Sequence, residues 1–298
     1  MLLIVAPGQG AQVPGFLAPW LELPGAAERI GHWSELAGID LLRMGTTADA
    51  DTITDTAVTQ PLLVAAGLLA AERLPEPDIT AGHSVGELTA GALAGVVSPD
   101  EAVALAGVRG RAMAEAARAA PTGMVAVLGG DEDPVLAAIA EHGLTVANVN
   151  ARGQIVAAGT TGQLDALAAS PPPNAKLRRL RVAGAFHTPH MAPAAEAVAT
   201  AASGIRPKDP AVRLLSNVDG GVVDSGRVWL DRIIAQVAAP VRWDLCMATM
   251  ADLGATRLIE LPPAGVLAGL AQRALPGVRR VSLREPGQLD EVRRLVSR

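Results

Sequence analysis

Cysteine is nearly absent. Cys246 is the only one in 298 residues, so no internal disulfide can form and a reducing, cytoplasmic setting is the expectation. A single cysteine of this kind reads first as a small buried apolar side chain. Aromatic residues make up 2% of the chain and tyrosine is missing, while alanine is abundant, a composition suited to close helix packing. There is no long basic run, and 25 Lys+Arg against 30 Asp+Glu leave a formal charge of −5, which argues against nucleic acid as the main partner. Beyond the opening segment, the longest uncharged run, Thr56 to Ala71, is too short for a membrane span and is interrupted by Gln60-Pro61. The opening segment from Met1 to Gly8 lacks a basic leader and reaches Pro7 too soon for a signal peptide, so it reads as a first strand. Internal repeats and low-complexity tracts are also lacking.

What is present is an alternation of strand and helix patterns long enough to bury a large core without metals or disulfides, with a prior of about two domains. Leu2 to Val5 is strand-like, Ala26 to Ala37 and Pro61 to Arg73 are helix-compatible, Ile79 to Ala81 is extended, and Asp100 to Ala117 is helical. After Pro121-Thr122-Gly123 the rhythm changes. Met124 to Leu128 is extended, Asp133 to Glu141 helical, Thr145 to Val149 and Gln154 to Ala158 extended, Gln163 to Ala168 helical, and Lys176 to Val182 extended. That βαββαβ order is the ferredoxin-like one, with Ser170 to Asn174 as a loop inside it. The α/β pattern then resumes through Val212 to Ser216, Val228 to Val237, Met247 to Leu253 and Arg257 to Leu261. The expected fold class is α/β: a large α/β domain from residues 1–120 and 183–298 with parallel strands, interrupted by a small subdomain at 121–182, and a ligand cleft between the two.

Gly82-His83-Ser84-Val85-Gly86 follows the Ile79 to Ala81 strand and opens an alanine-rich helical run from Glu87 to Ala94. That is the setting of a nucleophile elbow: the serine stands proud on a strained strand-to-helix turn, the glycines remove crowding side chains, and the first helical N–H groups face a developing oxyanion. A serine needs a base. Of five histidines, His32 and His142 sit in ordinary helical stretches, and His83 adjoins Ser84, where neighbours along a chain leaving a tight turn generally point apart. His187 and His190 remain, at the junction of a strand and a coming helix. Their His-x-x-His spacing lacks a third metal ligand, so no metal site is expected. On the helix from Asp100, Leu105, Arg109 and Met113 share one i, i+4 ridge beside Ala102 and Ala116, opposite Asp100, Glu101, Arg111, Glu115 and Arg118. Arg109 is the lone charge on the apolar side and needs an anionic partner. Two partners fit: an Asp or Glu of the chain, or a carboxylate that arrives with a substrate.

These motifs, together with Pro7-Gly8-Gln9-Gly10-Ala11-Gln12, Arg109-Gly110 with Met113, Asn148-Val149-Asn150, Gly184-Ala185-Phe186-His187 and Pro240-Val241-Arg242-Trp243, stand in an order and spacing that resembles the malonyl-CoA:acyl carrier protein transacylases over nearly the whole chain. The resemblance implies an α/β-hydrolase-like core with a ferredoxin-like insertion. It implies Ser84 as nucleophile, His187 as its base, the Gln9 and Val85 N–H groups as oxyanion hole, and Arg109 as holder of the malonate carboxylate. Gln236 matches the residue whose backbone carbonyl orients the histidine. Met113 and Phe186 match the acyl pocket, and Asn150 is polar support of the cleft. The implied reaction is ping-pong transfer of malonyl from malonyl-CoA to the phosphopantetheine thiol of acyl carrier protein, in fatty acid or polyketide synthesis, without metal or redox cofactor.

Three other readings share parts of this pattern: a serine esterase or thioesterase, an acyltransferase for methylmalonate or a neutral acyl group, and a non-catalytic module that binds acyl-CoA or carrier protein. Lys176, Arg178, Arg179 and Arg181 are one candidate docking cluster for an acidic carrier, or equally a solvated strand face. One segment departs from the family pattern. Leu261-Pro262-Pro263-Ala264-Gly265 stands where a Gly-Pro-Gly turn is usual, and alanine is expected to resist positive φ there.

Overall fold

The opening apolar run forms a strand, Leu2–Ala6 (β1), whose side chains pack in opposite directions: Leu2, Ile4 and Ala6 join one core cluster, Leu3 and Val5 another. A strand buried on both faces belongs inside a parallel sheet. The computed structural model describes residues 1–297 and contains ten further strands among them. These are β2 (Ile79–Gly82), β3 (Thr122–Gly129), β4 (Thr145–Ala151), β5 (Gln154–Thr160), β6 (Ala175–Arg179), β7 (Arg213–Leu215), β8 (Val222–Val223), β9 (Val241–Arg242), β10 (Arg257–Glu260) and β11 (Arg279–Ser282). The large sheet runs β11-β10-β1-β2-β7-β8, parallel except for the antiparallel edge strand β8.

Twelve α-helices among the described residues cover the sheets. They are α1 (Ala26–Ala37), α2 (Leu41–Thr46), α3 (Thr56–Ala71), α4 (Gly86–Leu93), α5 (Pro99–Arg118), α6 (Glu132–Glu141), α7 (Thr161–Ala169), α8 (Ala192–Ala202), α9 (Gly226–Gln236), α10 (Trp243–Asp252), α11 (Val266–Ala274) and α12 (Leu289–Val296). The core on one face of β1 draws on α1, α3, α4, α5, α8 and α9; the core on the other face draws on α10 and α11. Helix α5 begins at a capping box, Ser98 with Glu101, and the wheel reading holds: Arg109 and Met113 are 1% exposed while Arg111, Glu115 and Arg118 face solvent.

The second sheet runs β6-β3-β5-β4-β9. Its first four strands come from one stretch of chain, in the order β3-α6-β4-β5-α7-β6, and all pair antiparallel. The fifth strand was not expected. β9 lies parallel to β4, with Asn148 opposite Val241 and Val149 opposite Arg242, so two of the separated sequence motifs meet by backbone pairing. The last strand of the unit ends at Arg179 rather than Val182; the Leu180 N–H still reaches the Met124 carbonyl, and the chain then leaves the sheet.

Two other sequence expectations need correction. Helix α3 starts at Thr56, five residues before Pro61, because the Asp55 side chain accepts from the Ala57 N–H and its carbonyl from Val58 and Thr59. A proline removes one hydrogen bond, and this cap with wholly buried packing offsets it. Ala264 adopts positive φ (49°) after a cis Pro262-Pro263 bond, contrary to the expected resistance. The turn is held from below: the buried Glu260 carboxylate accepts the N–H groups of Gly265, Leu267 and Ala268 at 2.7, 2.9 and 2.8 Å, an anion at the start of α11.

The β2–α4 junction tolerates no side chain at its glycines. A Cβ on Gly82 would lie 1.9 Å from the Gly86 carbonyl carbon, and one on Gly86 would lie 2.2 Å from the Ala6 carbonyl oxygen. Gly82→Ala is therefore expected to destabilise the fold by about 3 kcal/mol. Gly31→Ala, inside α1 with open space around it, should stabilise by about 0.5–1 kcal/mol. Urea unfolding of both variants checks the contrast.

Candidate active site

Parallel strands deliver their carboxyl ends to one place. The loop after β1 carries Gln9, the turn after β2 carries Ser84, and the segment after β7 carries Asn217. The Ser84 backbone is held at φ 53°, and its N–H donates to Asn217 Oδ1 at 2.8 Å while Asn217 Nδ2 donates to the Gly82 carbonyl at 2.8 Å. The amide thus clamps both sides of a strained turn. Neither the Gln9 nor the Val85 backbone N–H donates a hydrogen bond among the described residues, and both residues line the cavity at Ser84.

His187 comes from the other direction. Gly184 packs against Ala117 closely enough that a Cβ would sit 2.5 Å from that side chain, the Ala185 N–H donates to Thr122 Oγ1 at 3.1 Å, and Thr188 Oγ1 donates to the Ala185 carbonyl at 2.7 Å. These anchors hold His187 at positive φ, 60°. Its Nδ1 meets the Gln236 backbone carbonyl at 2.8 Å and its Nε2 meets Ser84 Oγ at 2.8 Å. A carbonyl only accepts, so Nδ1 carries the proton and Nε2 offers its lone pair to the serine hydroxyl. Burial and the Arg109 charge lower the His187 pKa to about 3, which keeps the imidazole neutral.

Arg109 lies 1% exposed beside this pair. Nη1 donates to Gln60 Oε1 at 2.7 Å, and Nη2 donates to Ser84 Oγ at 3.2 Å and to Gln236 Oε1 at 3.0 Å. No carboxylate pairs directly with it among the described residues; its three acceptors are neutral oxygen atoms. Three hydrogen bonds leave two of the five guanidinium N–H groups unused.

The cavity that Ser84 opens into holds about 140 Å³. Met113, Phe186, Gln60 and His187 form one wall, and Met124, Asn148, Val156, Leu180 and Val182 of the small sheet and its exit form the other. A larger groove of about 560 Å³ between Glu76–Asp78 and Pro210–Arg213 contains no nucleophile and base. His83 lines the same cavity as Ser84, contrary to the expected divergence, but its Nε2 pairs with Asn150 Oδ1 at 2.8 Å rather than with the serine, and burial lowers its pKa. Asn150 lines that cavity too. His190 and His32 are exposed, and His142 bonds its own helix at Ala138. Cys246 is buried, with its thiol pushed up in pKa by burial. In the basic cluster, Lys176, Arg178 and Arg181 are exposed while Arg179 pairs with Asp165.

Three residues in contact with the site escaped the sequence reading: Gln60, Glu87 and Asn217, all at most 2% exposed. Each is a polar side chain in an apolar run or at the carboxyl end of a parallel strand, and that was the available signal.

The acyl transferase domain family matches residues 4–284. The malonyl CoA-acyl carrier protein transacylase of Mycobacterium tuberculosis (strain ATCC 25618 / H37Rv) is 51% identical over 302 residues, covering 99% of this chain and 100% of the relative. The protein of the same description from Bacillus subtilis (strain 168) is 31% identical over 296 residues, covering 95% and 93%. The crystal structure of MCAT from Mycobacterium tuberculosis superposes with a TM-score of 0.95 at 52% identity, over 98% of this chain and 99% of that one. A malonyl-transacylase solved in complex with its type II PKS acyl-carrier protein gives 0.90 at 28% identity, over 100% and 99%. The chain belongs to the acyl transferase domain family, among the malonyl CoA-acyl carrier protein transacylases.

Proposed function

We propose that this chain moves a malonyl group from malonyl-CoA to the phosphopantetheine thiol of an acyl carrier protein through a malonyl-Ser84 ester. The observation that carries the reading is Arg109: a buried cation beside the serine hydroxyl, with neutral acceptors only and two N–H groups unused. An unpaired buried charge is costly, and a substrate carboxylate removes that cost.

In this reading the thioester carbonyl sits against the unengaged Gln9 and Val85 N–H groups. Ser84 Oγ attacks it as His187 Nε2 takes the proton, and the Gln236 carbonyl stabilises the imidazolium through Nδ1–H. Collapse of the tetrahedral intermediate returns the proton from His187 to the departing CoA thiolate. The carrier thiol then gives its proton to His187, attacks the ester, and Ser84 recovers its proton as malonyl leaves. Met113 and Phe186 bound the acyl pocket. We further read residues 1–120 and 183–298 as one hydrolase-like domain and 121–182 as a ferredoxin-like insertion; the strand order β6-β3-β5-β4 with antiparallel pairing supports that division. The exposed Lys176, Arg178 and Arg181, next to the cavity-lining Leu180 and Val182, are the surface we assign to an acidic carrier.

Brief incubation with malonyl-CoA should leave a malonyl mass on Ser84, absent from Ser84→Ala. His187→Ala should slow acylation by about 10² to 10⁴, with His83→Ala retaining a working base. Because the His187 pKa is lowered, the neutral base persists in acid, and the acylation rate should stay flat from about pH 8 to about pH 5 instead of falling around the ordinary histidine value. Rapid-quench mass spectrometry across pH reads all of these.

Arg109→Ala should reduce kcat/KM for malonyl-CoA by roughly 10- to 150-fold, the loss of one charge-assisted contact, and reduce acetyl transfer much less. Arg109→Lys should recover part of the loss, since an ammonium lacks the planar fork. Parallel losses on both substrates in a folded variant would remove the case for malonate.

A further inference from the structure

Glu87 is 1% exposed, one residue into α4, and it has no place in the transfer steps above. It makes no direct contact with Arg109; the Gln236 side chain stands between them. Gln236 Oε1 accepts from Arg109 Nη2 at 3.0 Å, and Nε2 donates to Glu87 Oε2 and, at 3.2 Å, to Asn217 Oδ1. Chemistry fixes that amide orientation. A guanidinium only donates, so the amide oxygen faces Arg109 and the NH₂ faces Glu87. The other Glu87 oxygen accepts the Asn217 backbone N–H at 2.7 Å. Both oxygens therefore act as acceptors, as an ionised carboxylate requires. Burial pushes the Glu87 carboxyl up to about 8 and the Arg109 guanidinium down to about 10, and each charge opposes the shift of the other.

A direct Glu87–Arg109 pair would satisfy both charges and close the guanidinium to any ligand. An interposed amide balances the cation at one remove and keeps its unused N–H groups available. We propose that Glu87 is a positioning residue for malonyl selection, acting through the Gln236 side-chain amide to hold Arg109 charged and open to the substrate carboxylate beside Ser84. This rests on the assignment of Arg109 as the carboxylate anchor. Gln236 then has two separate duties: its carbonyl orients His187, and its side chain links Glu87 to Arg109.

An amide at position 87 can accept from Gln236 Nε2 or from the Asn217 N–H, never from both. Either Gln236 turns its NH₂ toward Arg109 or the clamp on the Ser84 turn is disturbed. The test is a mutant cycle on the full chain, with malonyl-CoA and acetyl-CoA as acyl donors and the kcat/KM ratio between them as readout. Glu87→Gln should lower the malonyl-to-acetyl ratio about tenfold, mainly through KM for malonyl-CoA, and Glu87→Asp should recover much of it. Gln236→Met keeps the backbone carbonyl on His187 and removes the side-chain bonds to Arg109, Glu87 and Asn217, so it should lower the ratio likewise; if Glu87→Gln does not fold, Glu87→Ala in its place carries the Glu87 arm of the cycle. In an Arg109→Ala background, Glu87→Gln should change the ratio no further. Folded variants at Glu87 and Gln236 that keep the parent ratio, or an equal loss in the Arg109→Ala background, overturn the proposal. If Arg109→Ala discriminates between the donors and these variants do not, only the link falls. If Arg109→Ala lowers both donors in parallel, the anchor assignment itself falls.

Discussion

A guanidinium sealed from water and surrounded by neutral oxygen atoms is the constraint on which the rest of this site depends. Such a cation is tolerated only when every neighbour is arranged to accept from it and a counter-charge is near. Here the acceptors are Gln60, Ser84 and Gln236, brought from three different segments, and the counter-charge in the proposed link is Glu87 at one remove. The same network also sets Ser84: Asn217, which donates to Glu87 through its backbone, clamps the Ser84 turn through its side chain. Charge placement and turn strain are therefore solved by one hydrogen-bonded network.

That network gives the electrostatics a direction. Arg109 lies among the causes that lower the His187 pKa, second to burial. In the proposed reaction a bound malonate carboxylate neutralises part of the Arg109 field, and the imidazole becomes a stronger base when the correct substrate is present. Substrate recognition and base strength are thus coupled through one cation. The fold makes this possible by placing β1, β2 and β7 side by side with their carboxyl ends together, while β9 fastens the small sheet over the cavity.

Much of this was legible in the sequence because the chemistry lies in local patterns. The elbow reads from five residues, and Arg109 reads from helical phase, since one charge on an apolar ridge is conspicuous. The dyad partner at 187 needed the resemblance, because a strand-to-helix junction alone left His190 open. Glu87, Gln60 and Asn217 were missed because their roles exist only after distant segments meet; nothing local distinguishes a buried polar side chain that bridges from one that merely packs. The two-residue strand β9 was missed for a similar reason, being defined by its partner β4 rather than by its own length. At Ala264, a propensity argument failed because the buried Glu260 carboxylate holds the following turn strongly enough to override it.

The most direct test of the central claim is a crystal structure of the chain acylated on Ser84 by malonyl-CoA. The account predicts the malonyl carboxylate within about 3 Å of the Arg109 guanidinium, with Gln236 still bridging Arg109 and Glu87 and with the ester carbonyl on the Gln9 and Val85 N–H groups. A carboxylate that points to solvent while Arg109 keeps its three neutral partners would contradict it.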